Sequence, residues 1–402
     1  MSDIRSLSSR AEPRQRNGAT PILVRQLQRI LSNARYGELT VVLPNGVAFH
    51  HAGNDPGPSA KIVIRSWRTV WRLILGGEMA FADSFITGEW WTPDLAGFLR
   101  FGAVNETSLG NAISCSAGQR LLLRWQHWRN RNTKRGSRRN IAAHYDLGNA
   151  FYELWLDRGM QYSSALFSGG NQPLEAAQQD KLDRIVELLD IKGGERVLEI
   201  GCGWGAVMSR LAPKCDVTGI TLSQEQLIYA QHRVGTAKIR LQDYRDVAEH
   251  YDRIVSIEMI EAVGERYWPI YFAKLRDSLT STGTVLLQAI TISEERFANY
   301  RNQPDFIQRY IFPGGVLPTV DIIHDEAARA GLEMVAHQPF GQSYAQTLSI
   351  WRDRFMAAWP AIEKLGFDAS FKRMWEYYLC YCEAGFRDGA IDVGFYKFKP
   401  VS

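Results

Sequence analysis

Nine residues near the middle of this chain, Val197-Leu-Glu-Ile-Gly-Cys-Gly-Trp-Gly205, restrict its fold more than any other stretch. An apolar run passes directly into alternate glycines and then into an apolar helical pattern. Glycine takes positive φ without penalty and lets a backbone lie close to a ligand. A strand that ends this way and feeds a helix belongs to an open α/β sheet, where ligands bind beyond the carboxyl ends of the strands. The spacing is Glu199-x-Gly201-x-Gly203-x-Gly205, which is not the GxGxxG of dinucleotide-binding folds. A tight strand–helix turn with no ligand is the plain alternative.

The neighbouring sequence agrees with such a sheet. Helical patterns at 175–189, 206–211, 223–233, 266–279 and 321–330 are interspersed with strand patterns at 196–200, 216–220, 237–241, 252–258, 283–291, 332–337 and 390–397. Alternation of this kind predicts an α/β fold, a doubly wound Rossmann-like sheet of seven strands. Residues 295–320 and 346–388 do not fit the alternation and read as insertions that shape a substrate site. Upstream, strand patterns at 38–43 and 60–66, the turn Pro44-Asn45-Gly46, and helices at 67–75 and 95–103 predict a smaller N-terminal α+β unit. The expected division is a polar tail at 1–20, the small unit at 21–115, a basic connection at 116–140 and the catalytic domain at 141–402.

A chain of 402 residues with 45% apolar content is long enough for two such units. The net charge of +4 is too mild to argue for nucleic acid, and none is expected as a partner. The cysteines, Cys115, Cys202, Cys215, Cys380 and Cys382, are scattered without metal-ligand spacing, so no metal is expected. No run of 18 apolar residues and no signal-peptide pattern occurs. The expected location is the cytoplasm. One stretch stands out: Arg120, Arg124, Arg129, Arg131, Lys134, Arg135, Arg138 and Arg139 are interleaved with Leu121, Leu122, Leu123, Trp125 and Trp128, without an acidic residue. A solvated linker and a contact for anionic lipid headgroups both fit it.

The glycine turn resembles the E/D-x-G-x-G-x-G turn of class I methyltransferases, which implies S-adenosylmethionine as cofactor. Two later segments fit a ligand at that turn. After the second strand, Ser223 can cap the next helix. After the third, Asp243 is placed to accept a hydrogen bond from an adenine amino group with Tyr244 stacked nearby, although a helix cap explains Asp243 equally well.

Further motifs carry a closer resemblance. Ala143-His-Tyr-Asp-Leu-Gly-Asn149, Met160-Gln-Tyr-Ser-Ser-Ala165, Ile257-Glu-Met-Ile-Glu-Ala-Val-Gly264, Phe306-Ile-Gln-Arg-Tyr-Ile-Phe-Pro-Gly-Gly315, Ser343-Tyr-Ala-Gln-Thr-Leu348 and Tyr381-Cys-Glu-Ala-Gly-Phe386 occur in order. Together they resemble the cyclopropane-fatty-acyl-phospholipid synthase family. The resemblance implies that Tyr162, Ser163, Gly201, Gly203, Thr221, Leu222, Ser223 and Gln226 line the S-adenosylmethionine site, with Glu199 and Gly205 completing the turn. It implies that Glu261 and Tyr344 sit beside the reactive methyl. The family holds a bicarbonate ion there with these two plus a Cys and a His. Here those last positions are Ser164 and Gln288, which donate hydrogen bonds but are not strong charge partners. The implied substrate is an unsaturated phospholipid acyl chain, reached from the inner membrane face by a peripheral protein, with a homodimer as a further expectation. The implied product is a cyclopropane fatty acid. A methyl- or methylene-branched chain and small-molecule N-methylation are the alternatives. Tyr267, Trp268, Tyr310, Phe312, Tyr344 and Tyr378 are the aromatic candidates for stabilising positive charge on the substrate.

Overall fold

The computed structural model describes residues 21–110, 136, 147–235, 237–302 and 305–401. The expectations for the tail at 1–20 and, apart from Gly136, for the basic connection at 116–140 concern residues outside these.

The larger sheet holds the strands β5 (Arg196–Ile200), β6 (Asp216–Thr221), β7 (Lys238–Leu241), β8 (Tyr251–Ile257), β9 (Leu279–Ile292), β10 (Leu332–Pro339) and β11 (Ile391–Pro400), in the order β10-β11-β9-β8-β5-β6-β7. Strands β7, β6, β5, β8 and β9 pair in parallel. β11 runs antiparallel between β9 and β10. The reversal follows from the connection. β10 ends at the carboxyl edge of the sheet, and the hairpin of Gly341–Lys364 and Ala369–Arg387 brings the chain back to that edge. The expected seven-stranded α/β sheet is therefore present, mostly parallel, with one reversed strand. Alternate residues face opposite sides. Val197, Val217, Val255 and Leu286 pack with Leu182, Ile185 and Met208 on one face. Leu198, Ile220, Ile254 and Leu287 pack with Tyr271, Phe272 and Ile323 on the other. The sheet is thus covered on both sides, as parallel strands require.

The N-terminal unit is a four-stranded sheet of β1 (Tyr36–Val42), β2 (Ala48–Ala52), β3 (Asp55–Ile64) and β4 (Trp90–Trp91), ordered β2-β1-β3-β4. It carries helices α1 (Pro21–Leu31), α2 (Trp67–Ile86), α3 (Leu95–Val104) and α4 (Glu106–Gly110). Sequence patterning passes over α1 and β2. No acidic residue opens α1, and β2 is an edge strand with no buried face. α2 runs eleven residues past its expected end, through a break at Gly77 with φ 62 and ψ −158, a backbone region open only to glycine.

Further helices follow: α5 (Asn149–Glu153), α6 (Leu174–Leu188), α7 (Ala206–Leu211), α8 (Gln224–Val234), α9 (Ile260–Val263), α10 (Trp268–Asp277), α11 (Glu294–Asn302), α12 (Val320–Arg329), α13 (Gly341–Lys364) and α14 (Ala369–Arg387). The two insertions become α11 with a π-helical turn at Ile307–Ile311, and the α13–α14 hairpin. One apolar cluster joins Leu27, Leu39, Trp90 and Phe101 to Phe151, Trp155, Trp351, Trp375 and Phe386, so the small unit shares its core with the hairpin. Polar ties add to it. Arg100 pairs with Asp388 at 3.2 Å and Arg309 with Asp83 at 3.3 Å, and the Arg373 guanidinium donates to the Ile86 carbonyl at 2.6 Å.

Candidate active site

The shared core is not filled throughout. A cavity of about 1280 Å³ runs from the glycine turn, past the ends of β8 and β9, to apolar side chains of the N-terminal unit. That volume exceeds a typical small-ligand site. At one end its wall includes Tyr162, Gly201, Gly203, Thr221, Leu222, Gln226, Gln242 and Tyr244. At the other it includes Ile30, Leu31, Leu73, Met79, Phe81, Phe98 and Phe101. Glu258, Glu261, Tyr344 and Tyr378 lie on the stretch shared by both.

The turn after β5 has the conformation its glycines suggest, with φ +77 at Gly201, +50 at Gly203 and +82 at Gly205. A Cβ on Gly203 would meet no protein atom within 4 Å, so this position presents bare backbone to the cavity. A Cβ on Gly205 would press on Val234 and Ala230, so that glycine serves the packing of α8. Thr221 donates to the Gln226 side chain at 2.8 Å, and Ser223 caps α8 through the Gln226 N–H. Ser163, Glu199, Gly205, Ser223 and Asp243 lie behind the wall. Asp243 is held by Arg245, with both oxygens at 2.7 Å. Glu199 is 3% exposed and pushed up to about 8 by burial. Its Oε2 has no hydrogen-bond partner. The exposed backbone of Gly203, the polar groups of Thr221 and Gln226, and the aromatic rings of Tyr162 and Tyr244 fit a nucleoside joined to an amino-acid tail.

The corner where Tyr344, Gln288 and Ser164 meet differs from expectation in which carboxylate it centres on. Tyr344 donates its hydroxyl to Glu258 Oε2 at 2.8 Å. Gln288 donates its amide to Glu258 Oε1 at 2.7 Å, and the backbone N–H of Ser164 reaches the same oxygen at 2.9 Å. The residues expected to surround Glu261 thus surround Glu258. The Ser164 hydroxyl turns away and donates to the Ala165 carbonyl at 2.8 Å. Glu258 sits just past β8 with φ 49, in the left-handed region, and that turn aims its side chain across the sheet edge toward β9 and α13. Strain of this kind in a non-glycine residue marks sites held by their surroundings. Glu261, one turn on, accepts the Ile290 N–H at 2.5 Å and leaves its Oε2 without a partner.

Charge separates the two carboxyls. Burial raises Glu258, while the Ser164, Tyr344 and Gln288 hydrogen bonds and the Lys181 charge oppose the rise. Glu261 has burial and the Glu258 charge both pushing it up, to about 8. Glu258 has three hydrogen-bond donors that favour its charged form, whereas Glu261 has one and the higher affinity for a proton. Burial and the facing carboxylate push the Tyr344 phenol up, so it remains a donor. Lys181, 1% exposed, donates to the Ser163 hydroxyl at 2.8 Å. Burial pushes it down to about 8. Neither Glu258 nor Lys181 stands out in the sequence. The available signal was the second acid in Glu258-x-x-Glu261, two carboxyls one helical turn apart at a strand end.

The aromatic candidates divide. Phe312, Tyr344 and Tyr378 line the cavity. Trp268 is core, 2% exposed, its indole donating to the Ile260 carbonyl. Tyr267 stacks with Arg245, and Tyr310 bonds Asp83. Tyr162 and Tyr378 join hydroxyls at 2.9 Å, closing the wall between the two ends.

Comparison with known proteins gives the family. Residues 132–396 match the family described as mycolic acid cyclopropane synthetase. A tuberculostearic acid methyltransferase of Mycobacterium tuberculosis is 39% identical over 383 residues, 88% of this chain and 86% of its own. The cyclopropane-fatty-acyl-phospholipid synthase of Escherichia coli is 37% identical over 320 residues, 79% of this chain and 81% of its own. Among solved structures, a mycolic acid cyclopropane synthase complexed with SAH and CTAB superposes with a TM-score of 0.61 at 31% identity, covering 65% of this chain and 97% of that one. With its seven-stranded sheet, its glycine turn and these matches, the chain belongs to the mycolic acid cyclopropane synthetase family and has the class I S-adenosylmethionine-dependent methyltransferase fold.

Proposed function

We propose that this protein transfers a one-carbon unit from S-adenosylmethionine to the double bond of an unsaturated phospholipid acyl chain, with Glu258 as its resident anionic group. The observation that carries the reading is the hydrogen-bonded Glu258 carboxylate, placed on the wall of one cavity between a glycine turn and an apolar tunnel. A small polar amine needs no apolar end of that size, whereas an acyl chain does.

S-adenosylmethionine is the cofactor, held by Gly201, Gly203, Thr221, Gln226, Tyr162 and Tyr244. When bound, it supplies an electrophilic methyl group. The protein's residues do the rest. The apolar wall orients the chain and excludes water, which makes the approach effectively intramolecular. Positive charge on the substrate faces Tyr344, Phe312 and Tyr378, whose rings favour it. Glu258 accepts the proton that must leave. Its three donors fix its position, and protonated Glu261 keeps a second negative charge out of the corner. A carboxylate of the chain thus takes the role expected of bicarbonate, with Gln288 and the Ser164 N–H where the family pattern has His and Cys.

Loss of a proton from the transferred methyl closes a cyclopropane, the first product reading. Loss from a neighbouring carbon gives a branched chain. The departures at Ser164 and Gln288, together with the likeness to a tuberculostearic acid methyltransferase, favour the branched product as the second reading. The test is to incubate purified protein with the cofactor and vesicles of monounsaturated phospholipid, then analyse the released acyl chains by mass spectrometry after hydrogenation. A chain one CH₂ heavier that takes up no hydrogen carries a ring. One that takes up hydrogen is unsaturated and branched. No mass gain refutes the proposal.

A further inference from the structure

Two helices of the N-terminal unit carry the same pattern on their outward sides. α1 buries Leu23, Leu27, Ile30 and Leu31 and turns out Ile22, Arg25, Gln26 and Arg29. Ahead of Gly77, α2 turns out Arg68, Trp71 and Leu75, with Arg72 half-buried among them. Both sets follow the i, i+3, i+4, i+7 spacing of one helix face. The two helices touch. Neither Pro21–Leu31 nor the stretch from Trp67 to Gly77 contains an acidic residue. Ile22 is 64% exposed, Trp71 49% and Leu75 63%. At the base of α2 the Arg65 guanidinium lies over the ring of Trp91, itself 40% exposed. Arg72 is paired with Glu89 at 3.5 Å, while Arg25, Arg29 and Arg68 face solvent.

Single exposed apolar side chains are ordinary on any surface. Here they share one small unit with arginines interleaved, and Glu89 reaches this face as the partner of Arg72. The same helices carry the cavity wall on their other side. Ile30 and Leu31 of α1, with Leu73 and Met79 of α2, line its apolar end, and the break at Gly77 falls between these last two. One helix thickness separates the outward face from the space assigned to the acyl chain.

We propose that this α1–α2 face docks the protein on an anionic phospholipid bilayer. Trp71 and Leu75 enter the headgroup layer, where an indole ring sits well. Arg25, Arg29 and Arg68 bond lipid phosphates. The inference rests on the lipid-substrate reading and names the surface that serves it, separate from the basic connection at 116–140. A protein partner is the weaker fit, because among the described residues the unpaired charges of the face, Arg25, Arg29 and Arg68, are all cationic and the face backs onto an apolar cavity rather than forming a closed groove.

The test is flotation of the full chain with phosphatidylglycerol or phosphatidylcholine vesicles, without cofactor, at low and high salt. Wild type is expected to float with the anionic vesicles, and less so as salt rises. Trp71→Ala with Leu75→Ala, and separately Arg68→Glu with Arg25→Glu, are each expected to weaken flotation at least tenfold. Activity on detergent-dispersed unsaturated lipid stays within about twofold, which also shows that the variants are folded. Flotation of either variant equal to wild type overturns the proposal. So does wild-type binding indifferent to lipid charge and salt, or a substituted face that changes the oligomeric state in light scattering and so marks a subunit contact. Because flotation needs no cofactor, wild type that floats but transfers no methyl counts against the catalytic reading and leaves the docking face standing.

Discussion

Glu258 decides most of the chemistry, and its neighbours make it testable. A Glu258→Gln variant keeps the shape but removes the charge and the proton acceptor. It is expected to lower kcat by about 10²–10⁴, with S-adenosylhomocysteine affinity in calorimetry nearly unchanged. A matching loss of affinity would mean that Glu258 holds the cofactor instead. Glu258→Gly goes further. It relieves the φ of 49 and opens a space still lined by the Tyr344 hydroxyl, the Gln288 amide and the Ser164 N–H. Wild type is expected to be insensitive to removal of bicarbonate, and the glycine variant to recover activity when bicarbonate or formate is added. Glu261→Gln replaces a protonated acid by a neutral isostere, so its cost in turnover is expected to be far below that of Glu258→Gln. Its pH effect has a definite sign. Burial and the Glu258 charge push Glu261 up to about 8 in the folded chain, above the ordinary glutamate value. Between those values the folded state keeps a proton that the unfolded state has released. This residue therefore lowers stability as pH rises, by at most about 1.4 kcal/mol per unit. The Tm of the glutamine variant should fall less than wild type between roughly pH 5 and 8; equal slopes would show that Glu261 is already ionised.

At the scale of elements, the glycine turn supports a separate test. A methyl on Gly203 meets no protein atom, so Gly203→Ala costs only the left-handed backbone, roughly 1–2 kcal/mol, while placing its carbon in the proposed cofactor space. Cofactor affinity is expected to drop at least about tenfold with a small change in Tm; unchanged affinity would move the cofactor elsewhere. This turn was legible in the sequence because everything that defines it is local, namely an apolar strand, alternate glycines and a helix. The seven strands were legible for the same reason, since each carries its own pattern. The Glu258 corner was not. Glu261 sits at the position the resemblance points to, but which acid faces Tyr344 depends on one left-handed residue and on the register of β8 against β9. That register pairs Ile257 with Gln288 and is fixed only by the assembled sheet. α1 escaped because no acidic residue marks its start, and β2 because an edge strand with no buried residue carries no apolar alternation. The antiparallel β11 follows from a hairpin whose two helices read as an insertion.

For the molecule as a whole, the arrangement joins three parts with separate duties. The sheet presents the glycine turn, the α13–α14 hairpin brings in Tyr344 and Tyr378, and the N-terminal unit closes the apolar end with Phe81, Phe98 and Phe101. The shared core explains why the cavity crosses from one part to the next. Among the described residues no helix is long and apolar enough to cross a membrane. On the proposed function an acyl chain enters the cavity from a bilayer, and the proposed α1–α2 docking face would serve that entry. The most direct test of the central claim follows a labelled methyl group. Wild type and Glu258→Gln are given methyl-deuterated S-adenosylmethionine and vesicles of monounsaturated phosphatidylglycerol, and the acyl chains are weighed. Label is expected in the wild-type chains at the former double bond, with little in the variant. Label absent from the acyl chains while the cofactor is consumed, or equal labelling by both proteins, would contradict the account.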